Sequence, residues 1–283
     1  TTCLSSPVCH CVRVKYRVGG GAGVGGCSAR YRRRMSEEGL EGGNTSGAVV
    51  RVGDTVRKQW SEATPSVCRF VRALRAEGID APEPRGRDDH GRQVIEFVPG
   101  SLAIAGAPLT AADLRRVGSM IREIHDASAR YVPEDDAVWQ TAIPAPAAEL
   151  ICHNDLAPWN LVTGERWVFI DWDAAAPSTR LWDLAYASQA FALSGGDRDP
   201  ETAARDLAAL VDGYRADETL RRDLPRAMEE RTAAMLALLE GAHATGHEPW
   251  ASMYADGHGD HWENALRYVR AHRAVWAWSL GGA

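Results

Sequence analysis

The stretch His153-Asn154-Asp155-Leu156-Ala157-Pro158-Trp159-Asn160 places an imidazole, a carboxylate and a carboxamide close together in the chain. It follows the apolar run Leu150-Ile151-Cys152 and runs on into Leu161-Val162. Asp171 and Asp173 come just after a second apolar run, Trp167-Val168-Phe169-Ile170. Both polar groups therefore stand at strand ends, where loops can turn several side chains toward one cavity. Carboxylate and amide oxygens are the ligands that magnesium prefers. Phosphoryl transfer needs such ligands, a carboxylate to orient the acceptor, and positive charge against the phosphates. Asp155, Asn160, Asp171 and the upstream Lys58 meet these needs together. Taken singly they are bland: a His-x-Asp is ordinarily a turn, a lysine a surface group, Asp183 a helix cap. Their joint occurrence carries the reading.

The elements that must position these residues follow from pattern. Ala48 to Val52 and Thr55 to Trp60 read as strands about the turn Gly53-Asp54, a β-hairpin. Lys58 shares a strand face with Val56, while Arg57 points the other way, toward solvent. Thr64-Pro65 opens a helix, Thr as cap, with Val67, Phe70, Val71 and Leu74 on one face and Gly78 at its end. Asp88 to Arg92 is a turn, and Gln93 to Val98 a strand. The rest is mainly helical. Leu114, Val117, Ile121 and Ile124 mark one helix, with Thr110 as its cap, and Asp199-Pro200 opens another. Leu224 to Glu240 reads as helix, Gly246 to Trp262 as loop, and Trp262 to Leu280 as a last helical stripe.

The catalytic-type segment resembles the catalytic loop of the aminoglycoside phosphotransferase family, kinase-like phosphotransferases of small molecules. Ile170-Asp171-Trp172-Asp173 is similar to that family's metal-binding segment, and Arg180-Leu181-Trp182-Asp183-Leu184-Ala185-Tyr186 to the helix after it. Val50 to Lys58 resembles its opening hairpin, and Val94 to Gly100 its lobe connection. The resemblance implies an α+β fold of protein-kinase-like, two-lobe form, with a small β-rich N-lobe and a larger helical C-lobe. On this reading 1–44 is a disordered tail, 45–99 the nucleotide-binding N-lobe, and 100–283 the C-lobe with the catalytic loop and substrate site.

The resemblance also implies roles. Asp155 orients or deprotonates the acceptor hydroxyl, His153 braces the loop, and Asp183 pins it from beneath. Asn160 and Asp171 hold magnesium, and Asp173 is a second ligand or a loop anchor. Lys58 pairs with the nucleotide phosphates. Val50, Glu96, Phe97 and Val98 contribute to the nucleotide site, the last three lining the adenine pocket mainly through backbone hydrogen bonds. Two departures stand out. Val67 occupies the place of a helix glutamate that pairs with the lysine, so either Glu62 swings in or Lys58 works alone. Gly42 to Gly47 precedes the first expected strand, so the only turn left to cover phosphates is Gly53-Asp54. ATP is the expected nucleotide, with GTP left open.

Composition bounds the partners. With 45% hydrophobic residues in 283, the chain can bury a sizeable core. A net charge of −6 argues against nucleic acid, and no apolar run is long enough for a membrane span. Cys68 and Cys152 sit in apolar surroundings, as free thiols of a cytoplasmic protein do. Cys9, His10, Cys11 and Cys27 are too tightly spaced for a zinc knuckle. The opening segment is not patterned as a signal peptide, and its composition suggests upstream sequence before a start at Met35. The histidines at 243, 247, 258 and 261 invite a metal reading, with a solvated loop as the plainer one. Acids at 240, 248, 256, 260 and 263 are nearly matched by Arg267, Arg270 and Arg273, so no strongly acidic groove for a polycationic substrate is expected. The expectation is an ATP- and magnesium-dependent phosphotransferase acting on a small-molecule hydroxyl. The alternative is a kinase-like nucleotide-binding or immunity-type protein with little transfer activity.

Overall fold

A computed structural model describes residues 37–40, 49–194 and 198–281. A five-stranded antiparallel sheet, ordered β1-β2-β3-β5-β4, forms the amino-terminal part. Its strands are β1 (Glu38–Leu40), β2 (Val49–Val52), β3 (Thr55–Lys58), β4 (Pro84–Arg87) and β5 (Gln93–Glu96). Helix α1 (Thr64–Ala76) lies between β3 and β4 in the chain and buries Val67, Phe70, Val71 and Leu74, the face that the spacing predicts. The cap differs from expectation. Ala63 is the capping position, without a side-chain bond, and Thr64 is already helical; its hydroxyl instead accepts the Ser61 N–H at 2.9 Å.

Three further differences have local causes. β1 lies in the segment expected to be an unstructured tail, and it pairs with β2 from Glu38 opposite Arg51 to Leu40 opposite Val49. Gly42 to Gly47, outside the described residues, thus connects two paired strands rather than preceding the first. β4 forms against local propensity, since Pro84 and Gly86 are poor strand residues. It survives at the sheet edge, with a register shift between those two positions, where proline and bulges are tolerated. Arg57 is half-buried beside Asp88 at 3.4 Å rather than solvated.

The carboxy-terminal part is helical around two small sheets, β6-β8-β9 and β10-β7. Strands β6 (Ser101–Leu102), β7 (Leu150–Cys152), β8 (Leu161–Thr163), β9 (Val168–Phe169) and β10 (Ala176–Ser178) are two or three residues long. The helices are α2 (Ala111–Ser128), α3 (Arg180–Ser188), α4 (Pro200–Tyr214), α5 (Glu218–Thr245), α6 (Trp250–Met253), α7 (Gly259–Ala271) and α8 (Arg273–Ser279). Thr110 caps α2 in a reciprocal box with Asp113, and Asp199 caps α4. The stretch from Gly246 to Trp262, expected as loop, is largely helical: α6 runs through a π turn over Tyr254–His258 into α7.

One core unites the parts. Val67, Phe70 and Leu74 of α1 pack in the same cluster as Ile121 of α2, Phe169 of β9, Trp172 and Leu207 of α4. The catalytic-type segment is anchored in it by Leu156, within the segment, and Leu161, just after it, both fully buried. Cys68 and Cys152 are buried free thiols. Among the described residues, no helix is long and apolar enough to cross a membrane.

Candidate active site

β7 delivers His153 into a turn that the backbone makes at Asn154, whose φ of 62° is left-handed. Asparagine tolerates that region better than most residues, and three bonds fix it here. Its N–H donates to Asp183 Oδ1 at 2.8 Å, and its Nδ2 donates to the carbonyls of Ala174 and Ala176 at 3.1 and 3.3 Å. His153 is fully buried. Its Nε2 donates to the Ile170 carbonyl at 3.1 Å, and its Nδ1 accepts the Asp155 N–H at 3.2 Å. Burial lowers its pKa, so a neutral imidazole ties the loop to the strand before Asp171. Asp183, buried on the first turn of α3, also meets His125 Nε2 at 3.0 Å, and His125 Nδ1 meets the Tyr214 hydroxyl at 2.9 Å.

Asn160 closes the loop, with Nδ2 donating to Asp155 Oδ2 at 2.7 Å and to the Asp155 carbonyl at 3.0 Å. With Nδ2 so engaged, Oδ1 is the atom Asn160 has left for a cation. Burial pushes the Asp155 carboxyl up to about 7, helped by the charge of Asp171 and opposed by hydrogen bonds from Tyr186 and Asn160 and by Arg231.

Across from this loop, Lys58 Nζ lies 2.8 Å from Asp171 Oδ1 and 2.7 Å from Asp173 Oδ1. Lys58 and Asp171 are 113 residues apart in sequence. These two carboxylates, and not Glu62, are the ion-pair partners of Lys58. Burial alone would push the ammonium down, but the charges of Asp171 and Asp173 outweigh it and its pKa is raised. Asp171, again with a left-handed φ of 60°, is held below the usual carboxylate range by Lys58. A cavity of about 30 Å³ adjoins the ion pairs, lined among others by Lys58, Val67, Cys68, Gln93, Asp171 and Asp173. Val67, at the place the resemblance gives to a glutamate, lines it.

The donor set fits a hard divalent cation: two carboxylates and a carboxamide oxygen, with no nitrogen or sulfur among them. The Asp171 and Asp173 side chains are 32% and 39% exposed, so an ion can reach them from solvent.

Other expected site residues are placed differently. The Glu96 N–H donates to the Glu83 carbonyl and the Phe97 N–H to the Asp54 carbonyl, each at 2.9 Å. These two N–H groups are therefore engaged within the protein. The Glu96 carboxylate pairs with Arg166 at 2.5 Å, and Arg51 covers the Phe97 ring at 3.8 Å. Val98 is buried with Leu102, Val162 and Val168, and Val50 is half-buried in β2 opposite Arg57. Among the described residues, the histidines at 243, 247, 258 and 261 form no metal-type cluster; His243 stacks on Tyr254 instead. The cluster that geometry does bring together, His125, Cys152 and Asp183, is buried, and both nitrogens of His125 already have partners.

Two neighbours of Asp155 escaped the sequence reading. Tyr186 of α3 hydrogen-bonds to it, and Arg231 of α5 lies 4.4 Å over the Tyr186 ring. Arg231 is 6% exposed, reaches the Asn154 carbonyl at 3.4 Å, and leaves Nη1 without a partner among the described residues. A signal was present: position 231 falls in register with Leu224, Met228, Met235 and Leu239, all buried.

This is a kinase-like fold. It is shared with the amicoumacin kinase hAmiN, solved with AMP-PNP, Ca2+ and Ami, at a TM-score of 0.63 and 14% identity over 86% of this chain and 89% of that one. It is shared too with a choline/ethanolamine kinase family protein from Mesorhizobium loti, at a TM-score of 0.56 and 16% identity over 87% and 94%. In sequence, residues 132–224 match the phosphotransferase enzyme family (APH), so the resemblance read from the motifs is shown for the segment that carries them. The trifolitoxin immunity protein of Rhizobium leguminosarum bv. trifolii is 31% identical over 154 residues, covering 52% of this chain and 58% of that protein. The match thus spans less than two thirds of that relative.

Proposed function

We propose that this protein transfers the γ-phosphoryl group of magnesium-bound ATP to a hydroxyl of a small molecule. The observation that carries this reading is the meeting of Lys58 with Asp171 and Asp173, at 2.8 and 2.7 Å, beside the bonded pair Asp155–Asn160. Asp171, Asp173 and Asn160 would hold magnesium, which supplies charge neutralisation on the phosphates. Lys58 pairs with the phosphates from the sheet. Asp155 aligns the acceptor hydroxyl and takes its proton as the acceptor oxygen bonds to the γ-phosphorus. The bond from that phosphorus to the β–γ bridging oxygen breaks, and ADP leaves. Positioning and electrostatics dominate such a step. His153 and Asp183 act on it by holding the loop. The cytoplasm, where ATP is plentiful, is the compartment this implies. GTP is the alternative donor to test.

A second reading draws on the similarity to a trifolitoxin immunity protein: nucleotide binding with little transfer. One experiment separates the two. Radiolabelled ATP is offered with a panel of hydroxylated metabolites and antibiotics to wild type and D155A. Transfer by wild type that D155A loses supports the enzyme. Binding of nucleotide by both, with transfer by neither, supports the second reading.

A further inference from the structure

We propose that Lys58 serves as a built-in substitute for the metal, so that a divalent cation enters this site only together with a nucleoside triphosphate. The inference rests on the proposed function and adds how the site is loaded. Lys58 Nζ contacts one oxygen of Asp171 and one of Asp173, the carboxylates assigned to the metal. The ammonium side chain is only 6% exposed, whereas the carboxylates are 32% and 39% exposed. The lysine therefore closes the inner side of the cluster while its outer side stays open. A divalent ion arriving alone would share these oxygens with a fixed positive charge a few ångströms away, and like charges at that range repel strongly in a part-buried site. A triphosphate removes the conflict, because its oxygens give Lys58 another anion to pair with.

The cause lies in α1. Val67 offers no carboxylate, and the cavity beside it is lined by Lys58 and by Gln93, whose Oε1 has no hydrogen-bond partner among the described residues. Among the described residues that line the cavity, the only carboxylates are those of Asp171 and Asp173, and Lys58 pairs with both. A glutamate at 67 would draw it back.

Manganese serves as the probe, read by the loss of the free Mn2+ electron paramagnetic resonance signal, with and without AMP-PNP. Wild type should bind Mn2+ at least tenfold more tightly when AMP-PNP is present. K58Q should bind Mn2+ alone at least tenfold more tightly than wild type, and should gain thermal stability from Mn2+ where wild type gains little. V67E, which keeps the lysine, should move Mn2+ affinity in the same direction and serves if K58Q folds poorly. Equal affinity of wild type, K58Q and V67E for Mn2+ alone would overturn the inference. The AMP-PNP arm reads the proposed function separately: a wild type that never binds the nucleotide defeats that function, while the Mn2+-only comparison still decides the role of Lys58.

Discussion

Asp183 Oδ1 accepts the backbone N–H of Asn154 at 2.8 Å, and this one bond ties a buried helix terminus to a left-handed turn of the catalytic-type loop. Its other oxygen meets His125 at 3.0 Å. Removing the carboxylate leaves a buried N–H and a buried imidazole without their partner. D183A should therefore lose about 3 kcal/mol or more of stability in urea unfolding, and transfer activity with it. A loss under 1 kcal/mol would show that the loop does not depend on this anchor.

Asp155 should show the opposite relation between stability and activity. Its folded pKa, about 7, is raised above the ordinary 3.8 chiefly by burial. The folded state then holds the proton more tightly than the unfolded chain, so the group's effect on stability worsens from about pH 4 to pH 7 and stays unfavourable above. The carboxylate keeps some exposure, which reduces the effect to roughly 1–2 kcal/mol. D155N should raise the melting temperature at pH 8, leave it nearly unchanged at pH 4, and cut transfer at least ~100-fold. Equal melting-temperature shifts at both pH values would contradict the linkage.

Local chemistry was legible in the sequence where spacing is short. His153 to Asn160 and Asp171-Trp172-Asp173 announce themselves because the residues of each group lie together in one loop or at one strand end. Lys58 could be placed on a strand, but its pairing with Asp171 depends on how β3 meets a segment 113 residues away, which no local pattern encodes. The three-residue β1 has no periodicity of its own and exists through pairing with β2. Arg231 was visible as a charge inside an apolar register, yet what it faces, Tyr186 and the Asn154 carbonyl, is set by the packing of α5 on α3. The helical nature of residues 250–258 was hidden by the glycines and proline around it, which read as loop.

Arg231 offers a test of electrostatic support for Asp155. Its charge helps to keep the Asp155 carboxyl from rising further, and its own burial lowers its pKa. Replacing a buried charge with an apolar side chain of similar length is often neutral or stabilising. R231M should thus keep or raise the melting temperature while transfer falls. The acid limb of kcat/KM should move to higher pH, because Asp155 then needs a higher pH to ionise. Loss of folding together with activity in R231M would make Arg231 a structural residue only.

The approach of α2 and α4 gives the last prediction, because it sets the geometry above Asp183. A Cβ on Gly118 would lie 2.6 Å from the Tyr214 backbone nitrogen and closer still to the Leu210 carbonyl. A Cβ on Gly213 would meet the Arg115 backbone in the same way. Backbone atoms cannot swing aside as a side-chain tip can, so the helices must separate. Separation pulls Tyr214, on α4, away from His125, on α2, whose other nitrogen faces Asp183. G118A and G213A should each cost about 3 kcal/mol or more and should lower transfer activity. Gly241 in α5 is the control: nothing lies within 4 Å of its Cβ position. G241A should stabilise the protein by about 0.5–1 kcal/mol through helix propensity. Thermal and urea melts of the three variants check this, and G118A melting like wild type would mean that the two helices tolerate a wider spacing.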